Sequence, residues 1–290
     1  MAASPAIERE ISAEASLMDA QSTPQGRFRG DRWRILLLRT GLLLLILGVW
    51  QLISGNPKQG FALVDQFWIS SPSLIATRLA EWIAAGSLWF HMAITLQEMA
   101  AGFIIGGASG ILGGVVLGRR ELLAKTLDPF IMGFNSIPKL ALAPLFILWF
   151  GIGMEPKIVL VATSTFFLTF LSTYSGVRDT DRELVDILRL MGANQRQIFY
   201  RVVLPSATPW IFAGLKLAVP YSLISAVVGE IMAANRGLGF LLVNAQGQFD
   251  TAGVFAAIVV LMIMGLVINA AVNRLEHYLL RWRTAGNSEH

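Results

Sequence analysis

Cysteine is absent, histidine is scarce and charge is thin: the 290 residues hold no Cys, three His and only 14% charged side chains. Without cysteine there are no disulfides, thiolate zinc sites or cysteine nucleophiles. Soluble domains carry about 25% charged residues, so this chain cannot cover a water-facing surface, and a simple soluble enzyme is excluded. A composition this apolar also excludes a disordered chain. No G-x-x-x-x-G-K-[ST] segment occurs, so the chain has no P-loop for ATP. No G-x-S-x-G elbow supports a serine hydrolase. His91, His277 and His290 stand apart, and no His/Asp/Glu group has metal-ligand spacing. An enzyme working within a membrane needs a buried catalytic group with an activating partner, and only a few acids and lysines in apolar stretches are available.

What is abundant is apolar length: 54% of residues are hydrophobic, and mean hydropathy is +0.60. About 18 or more apolar residues cross roughly 30 Å of hydrocarbon as helix. Stretches near that length occur at about 35–53, 94–117, 127–150, 158–177, 207–233 and 254–275. No strand alternation is sustained, so the sequence predicts an all-α membrane protein with six transmembrane helices. Residues 1–34 read as a disordered tail, 35–283 as the membrane domain and 284–290 as a short C-terminal tail. The first stretch follows the basic cluster Arg27, Arg29, Arg32 and Arg34 and reads as an uncleaved anchor. Arg39, one turn inside it, can snorkel back to the surface. Pro72 and Ser73 open a short helical pattern, Leu74–Ala85, too short to span and suited to the membrane surface.

The net charge of +4 and a pI near 9.7 invite a nucleic-acid reading, but the placement of the charge excludes it. With the N-terminal tail inside, the inner segments hold 16 of the 23 Lys/Arg. The outer segments hold four, Lys58, Arg78, Lys157 and Arg236, and Arg39, Lys139 and Lys216 fall within spans. That bias places both termini in the cytoplasm.

Three patterns stand out. Gly102, Gly106, Gly110, Gly114 and Gly118 recur every fourth residue, with Gly107 and Gly113 alongside. This puts small residues on one slowly turning helix face where another helix approaches closely, either within the chain or at a subunit contact. The third span contains Pro138 and Pro144, each of which removes an amide donor and breaks the helix. Lys139 lies beside that break near mid-membrane, Lys216 is deep in the fifth span, Glu98 lies in the second and Glu230 near the outer end of the fifth. Ionisable groups at that depth are functional candidates by default. The two lysines can draw a small anion into a pathway, or they can pair structurally with Glu98 or Glu230.

The third pattern is the loop 178–206, RDTDRELVDILRLMGANQRQIFYRVVLP with its flanks. Thr180 and Glu183 have capping-box spacing. Leu184, Ile187, Leu188 and Met191 then share one helical face. Gly192 can take positive φ and end the helix. Asn194 can cap a second helix with Gln197 three residues on, and Pro205 marks a bend into the membrane. An apolar stripe in a charged loop suits docking in a partner's groove, or it lies on the membrane or on its own bundle.

That loop resembles the EAA loop of ABC importer permeases, written loosely E-A-A-x3-G-x9-I-x-L-P. Asp186-Ile187-Leu188 stand at the E-A-A positions, Gly192 at the glycine, Val202 at the isoleucine, and Leu204-Pro205 at the end. Asp for Glu and Val for Ile are mild departures, whereas Ile187 and Leu188 widen the knobs where the family has alanines. Ser71-Pro72-Ser73, Ile137-Pro138, Ala143-Pro144-Leu145, Trp149-Phe150-Gly151-Ile152-Gly153, Gly176-Val177 and Gly237-Leu238-Gly239 resemble the nitrate/sulfonate/taurine/bicarbonate branch, so the likeness covers about residues 70–283.

The resemblance implies a type I importer permease fold and a membrane subunit that performs no covalent chemistry. Two copies, as a homodimer, would enclose the pathway in the bilayer of the inner membrane for a small solute, an anion such as nitrate, sulfonate, taurine or bicarbonate. Each loop would seat in a separate ATP-binding subunit, which alone binds ATP and Mg. An extracytoplasmic binding protein would deliver the solute. Coupling would then fall to Asp186, Ile187, Leu188, Met191, Gly192, Ala193, Arg196, Leu204 and Pro205, and the pathway to Glu98, Lys139, Lys216 and Glu230. No nucleic acid and no metal are expected. A gradient-driven secondary transporter or channel would also explain six spans with intramembrane Lys and Glu, but neither the amphipathic loop nor the absence of evident inverted halves.

Overall fold

The computed structural model describes residues 31–54, 64–233 and 235–279. The predicted N-terminal tail up to residue 30, with Arg27 and Arg29, lies outside them, as do Lys58 and the 284–290 tail. The chain divides into two compact units, Met1–Leu63 and Val64–His290. The described part of the first is one helix, α1 (Asp31–Ser54). It starts earlier than the apolar run, so Arg39 lies more than two turns inside it rather than one.

In the second unit the elements are α2 (Gln66–Ile69), α3 (Pro72–Ala84), α4 (Ser87–Gly118), α5 (Glu121–Ser136), a 3-10 turn (Lys139–Leu142) and α6 (Ala143–Phe150). Then come α7 (Glu155–Arg178), α8 (Arg182–Leu190), α9 (Gln195–Ile198), a π turn (Phe199–Val203), α10 (Leu204–Ala233), α11 (Leu238–Gly247) and α12 (Thr251–Leu279). No strand occurs among the described residues. Among the described residues five helices are long and apolar enough to cross a membrane, and the pair Glu121–Ser136 with Lys139–Phe150, bent by 78°, makes a sixth if it is one span.

Chain direction decides that point. The glycine ladder of α4 lies against α7 in step: a Cβ on Gly102 would stand 2.5 Å from the Val161 Cβ, one on Gly110 2.7 Å from the Phe166 carbonyl, and one on Gly118 2.7 Å from Val177 Cγ1. The two helices are therefore parallel. Whatever joins them must carry the chain back to the end where α4 began, so α5 and α6 together make one crossing. The ladder is an internal packing seam, which answers the choice between an internal contact and a subunit contact. Helix α10 runs antiparallel to α7, with Gly214 against Ser172 and Gly229 against Lys157. Close approach of small residues is how helices associate where lipid is as apolar as the side chains.

The third span is not a doubly kinked helix. Ile137 is extended (φ −67°, ψ 129°), as a residue before proline prefers. The break falls there, at Ile137-Pro138. Pro144 sits in the first turn of α6, where a missing N–H costs nothing. The fifth span likewise has no entry bend at Pro205. Helical geometry continues from Gln195 to Ala233 through the π turn, which takes up the register change. The short surface helix is α3, with Ser71 as its N-cap and Pro72 at its first position. It packs against α12, and Arg78 on its surface pairs with Glu81 (2.7 Å) and Asp250 (2.9 Å).

Candidate functional site

The 178–206 loop folds as two short helices around a glycine. Asp181, not Thr180, caps α8: its carboxylate accepts from the Glu183 N–H at 2.8 Å. The Thr180 hydroxyl donates back to the Val177 carbonyl, so the threonine belongs to the end of α7. Gly192 ends the helix at φ +81°, with the Ala193 N–H returning to the Leu188 carbonyl at 2.9 Å. Asn194 and Gln197 form the expected reciprocal capping box. Each segment thus carries its own stop or start signal, and the angle between α8 and α9 is set by one left-handed residue.

Ile198 is buried and fastens α9 to the bundle. On α8 the apolar face points outward: Leu184, Ile187 and Met191 are exposed, and Leu190 is the most exposed at 88%. Leu188, on the same predicted face, is half-buried. Leu190, three residues after Ile187, is exposed as well and was not on the face read from the sequence. Asp186 pairs with Arg189 at 2.9 Å. Arg196 and Ala193 lie at the start of the second helix, while Leu204 and Pro205 open α10.

At the opposite end of the bundle the structure gathers polar groups that the sequence kept apart. Glu98 Oε1 accepts from Lys157 Nζ at 2.7 Å, with the two side chains 0% and 7% exposed. Lys157 is therefore not an outer-loop cation but part of α7's buried face. Burying either charge alone would cost several kcal/mol. Glu98 also lies beside the Glu230 carboxyl, so the two acids and Lys157 share one buried space. Glu230 accepts from the Thr95 hydroxyl and from the Gly239 N–H, each at 2.6 Å. Thr95 in turn accepts from the Leu238 N–H at 2.8 Å, and His91 Nδ1 accepts from the Gly237 N–H at 3.0 Å. Helices α4 and α10 thus hold the first turn of α11, and Lys157 ties α7 to α4 beside it. Gly237 at φ +103° brings that turn so close that a Cβ would collide with the Glu230 carboxylate. His91, Thr95 and Lys157 were missed by sequence reasoning because pairing across 59 or more positions leaves no local signal.

Neither intramembrane lysine pairs with Glu98 or Glu230. Lys139 donates to the Asn135 carbonyl and side chain and stands 4.8 Å from the Phe167 ring centre. Lys216 pairs with Glu276. The four residues predicted for a pathway are not one cluster.

Among the described residues no three His, Cys, Asp or Glu side chains are placed to hold a metal ion. The loop can dock and transmit force, and the buried network can hold helices together.

Residues 110–281 match the family described as "binding-protein-dependent transport system inner membrane component". The chain is 35% identical over 245 residues to the formylaminopyrimidine transport permease protein ThiX of Halalkalibacterium halodurans, covering 84% of this chain and 95% of that one. It is 32% identical over 247 residues to a Bacillus subtilis permease named for aliphatic sulfonates transport, SsuC, covering 84% and 88%. It is 33% identical to the riboflavin transport system permease protein RibX of Chloroflexus aurantiacus, covering 84% and 89%. Two solved structures share the fold: the inward-facing MetNI methionine ABC transporter (TM-score 0.54, 22% identity, 68% of this chain and 96% of that one) and a bacterial ABC transporter for alginate import (0.57, 14%, 85% and 95%). The chain belongs to the binding-protein-dependent inner-membrane components, in the sulfonate/nitrate branch: it is a multi-pass, non-catalytic permease subunit of an ATP-driven importer.

Proposed function

We propose that the 178–206 loop is the segment by which a separate ATP-binding subunit drives this permease, and that a small solute, an anion first of all, crosses between two copies of the chain. The observation that carries this is the outward apolar face of α8, Leu184, Ile187, Leu190 and Met191, on a loop otherwise made of charge. An apolar face held rigid by caps on both sides suits a preformed groove better than open water. Ile187, Leu190 and Met191 supply the knobs, with Leu188 behind them. Asp186 and Arg196 lie at the rim. Gly192 with Ala193 sets the hinge, and Leu204-Pro205 pass the displacement into α10.

The loop end of the bundle then faces the cytoplasm, as the Lys/Arg bias supports, with both termini on that side. ATP and Mg belong to the partner. Solute arrives from an extracytoplasmic binding protein. A sulfonate is supported by one relative's name, and a small heterocycle by two others. Within the pathway Lys139 remains the anion candidate, since no carboxylate lies within ion-pair distance among the described residues. Lys216 is neutralised by Glu276, and Glu98 and Glu230 hold the bundle end.

The test is reconstitution in vesicles with and without the ATP-binding subunits and binding protein. Uptake should require all of them plus ATP. A Met191→Cys variant should cross-link to the ATP-binding subunit. Equal uptake without that subunit, or cross-linking only to lipid, overturns the reading.

A further inference from the structure

A cleft of about 450 Å³ opens beside α8, lined by the end of α4 (Gly118, Arg119), the start of α5 (Glu121), the end of α7 (Val177, Arg178) and α8 itself (Arg182, Arg189). Four guanidiniums face one space. Glu121 pairs with Lys125 (2.9 Å) and Asp186 with Arg189 (2.9 Å), and Glu121 also attracts Arg178 and Arg182 at longer range, so the two acids offset only part of the cleft's positive charge. Arg178 bonds only the Tyr174 hydroxyl (2.6 Å), and Arg119 stacks 4.7 Å from the Phe199 ring centre. Arg119, Arg178 and Arg182 therefore lack a carboxylate within ion-pair distance among the described residues. Like charges converging at a low-dielectric boundary repel, and planar guanidiniums match phosphate oxygens two at a time.

A second observation concerns the neighbouring surface. An apolar groove of about 340 Å³, with no polar lining, begins at Val116-Leu117 on α4 and Leu123 on α5, next in sequence to residues of the arginine cleft, and runs along Leu127, Ile131 and Phe134 toward Phe166 and Phe170 of α7. It points from the span ends into hydrocarbon depth. A cationic cleft at the head of a dry groove has the form of an amphiphile with an anionic head.

We propose that this composite site holds one anionic phospholipid, its phosphate among Arg119, Arg178 and Arg182 and one acyl chain along the α4–α5 groove. The proposal rests on the reading that the loop end faces the cytoplasm, where anionic headgroups attract such clusters. A bound lipid would brace α8 against the ends of α4 and α7, and so set how stiffly the loop transmits force.

The complete transporter, permease with its ATP-binding subunits, is purified and analysed by native mass spectrometry after exchange into phosphatidylglycerol or phosphatidylcholine. One phosphatidylglycerol per permease copy should survive, and phosphatidylcholine should not. Arg119→Gln with Arg182→Gln should cut retention at least tenfold, while Arg119→Lys with Arg182→Lys keeps most of it. Leu123→Trp, which narrows the groove, should weaken retention of phosphatidylglycerol but not of inorganic phosphate. Equal retention of both lipids, or no change in the glutamine variant, overturns the proposal. Displacement by millimolar inorganic phosphate alone assigns the cleft to a free anion and overturns it too. Loss of the ATP-binding subunit from the glutamine variant with lipid retention intact assigns the arginines to subunit docking and also overturns it. Failure of the Met191→Cys cross-link with lipid retention intact sinks the coupling reading and leaves the lipid site standing.

Discussion

Gly192 is the residue on which the loop's shape depends most. Its φ of +81° has no atom within 4 Å of an added Cβ, so the penalty for substitution is conformational rather than steric. An L-residue in the left-handed region costs roughly 1–2 kcal/mol, more when β-branched. Gly192→Val should therefore insert and assemble but lose most solute uptake while ATP hydrolysis persists, and Gly192→Asn, which tolerates left-handed geometry, should keep most of it. Paired uptake and phosphate-release assays check this. The Glu98–Lys157 pair answers to a different physics. Removing one partner leaves a buried charge, so Lys157→Met should cost on the order of 3–5 kcal/mol, and adding Glu98→Gln should return much of it. Thermal unfolding in detergent, read for both variants, tests the non-additivity. An additive pair of effects would show that the two side chains do not depend on each other.

At the scale of elements, the seam between α4 and α7 is held by absence of side chains. A Cβ at Gly110 would meet the Phe166 carbonyl at 2.7 Å, whereas one at Gly133 on α5 meets nothing within 4 Å. Gly110→Leu should force the helices apart at a cost of about 1–3 kcal/mol or more, seen as lost expression or a lowered melting point. Gly133→Ala should be neutral or stabilising by about 0.5–1 kcal/mol. The same contrast explains what could be read from the chain in advance. The four-residue glycine spacing announces its seam because one helix's periodicity is local. The cap at Asn194 and the hinge at Gly192 are likewise local signals, and the structure carries both. The partner of Lys157 is not local. Nothing around position 157 says that position 98 lies across from it, so a buried ion pair looked like an outer-loop cation. The break at Ile137-Pro138 was visible, but which of two prolines breaks the span depends on where the next helix begins, and Pro144 turned out to begin it. Helix α11 was missed for a related reason: ten residues are too few to cross a bilayer, and its first turn is capped by Glu230 from another helix rather than by its own preceding residue.

For the whole molecule, the chain's directions leave little freedom. Helices α4 and α7 run together toward the 178–206 loop, α10 runs back from it, and α12 begins after α11 at the far end and so finishes at the loop end. The 39-residue helical path from Gln195 to Ala233 links the second helix of the loop, just past the Gly192 turn, to the Glu230 network. At 1.5 Å per residue such a path is about 58 Å long, more than a membrane's hydrocarbon core. Under the proposed coupling, a push on α9 would reach the turn that Glu230 holds along one helix, which contains Pro209 and Pro220. This polarity is testable directly because the chain has no cysteine of its own. Single variants Leu190→Cys on the loop and Gln248→Cys after α11 should react with a membrane-impermeant maleimide from opposite sides: Gln248→Cys in intact cells, Leu190→Cys only in inverted vesicles. Leu190→Cys should also be shielded when the ATP-binding subunits are present. Labelling of both positions from one side would mean that α10 does not carry the chain across the bilayer, and the proposed path from the loop to Glu230 would have no membrane to cross.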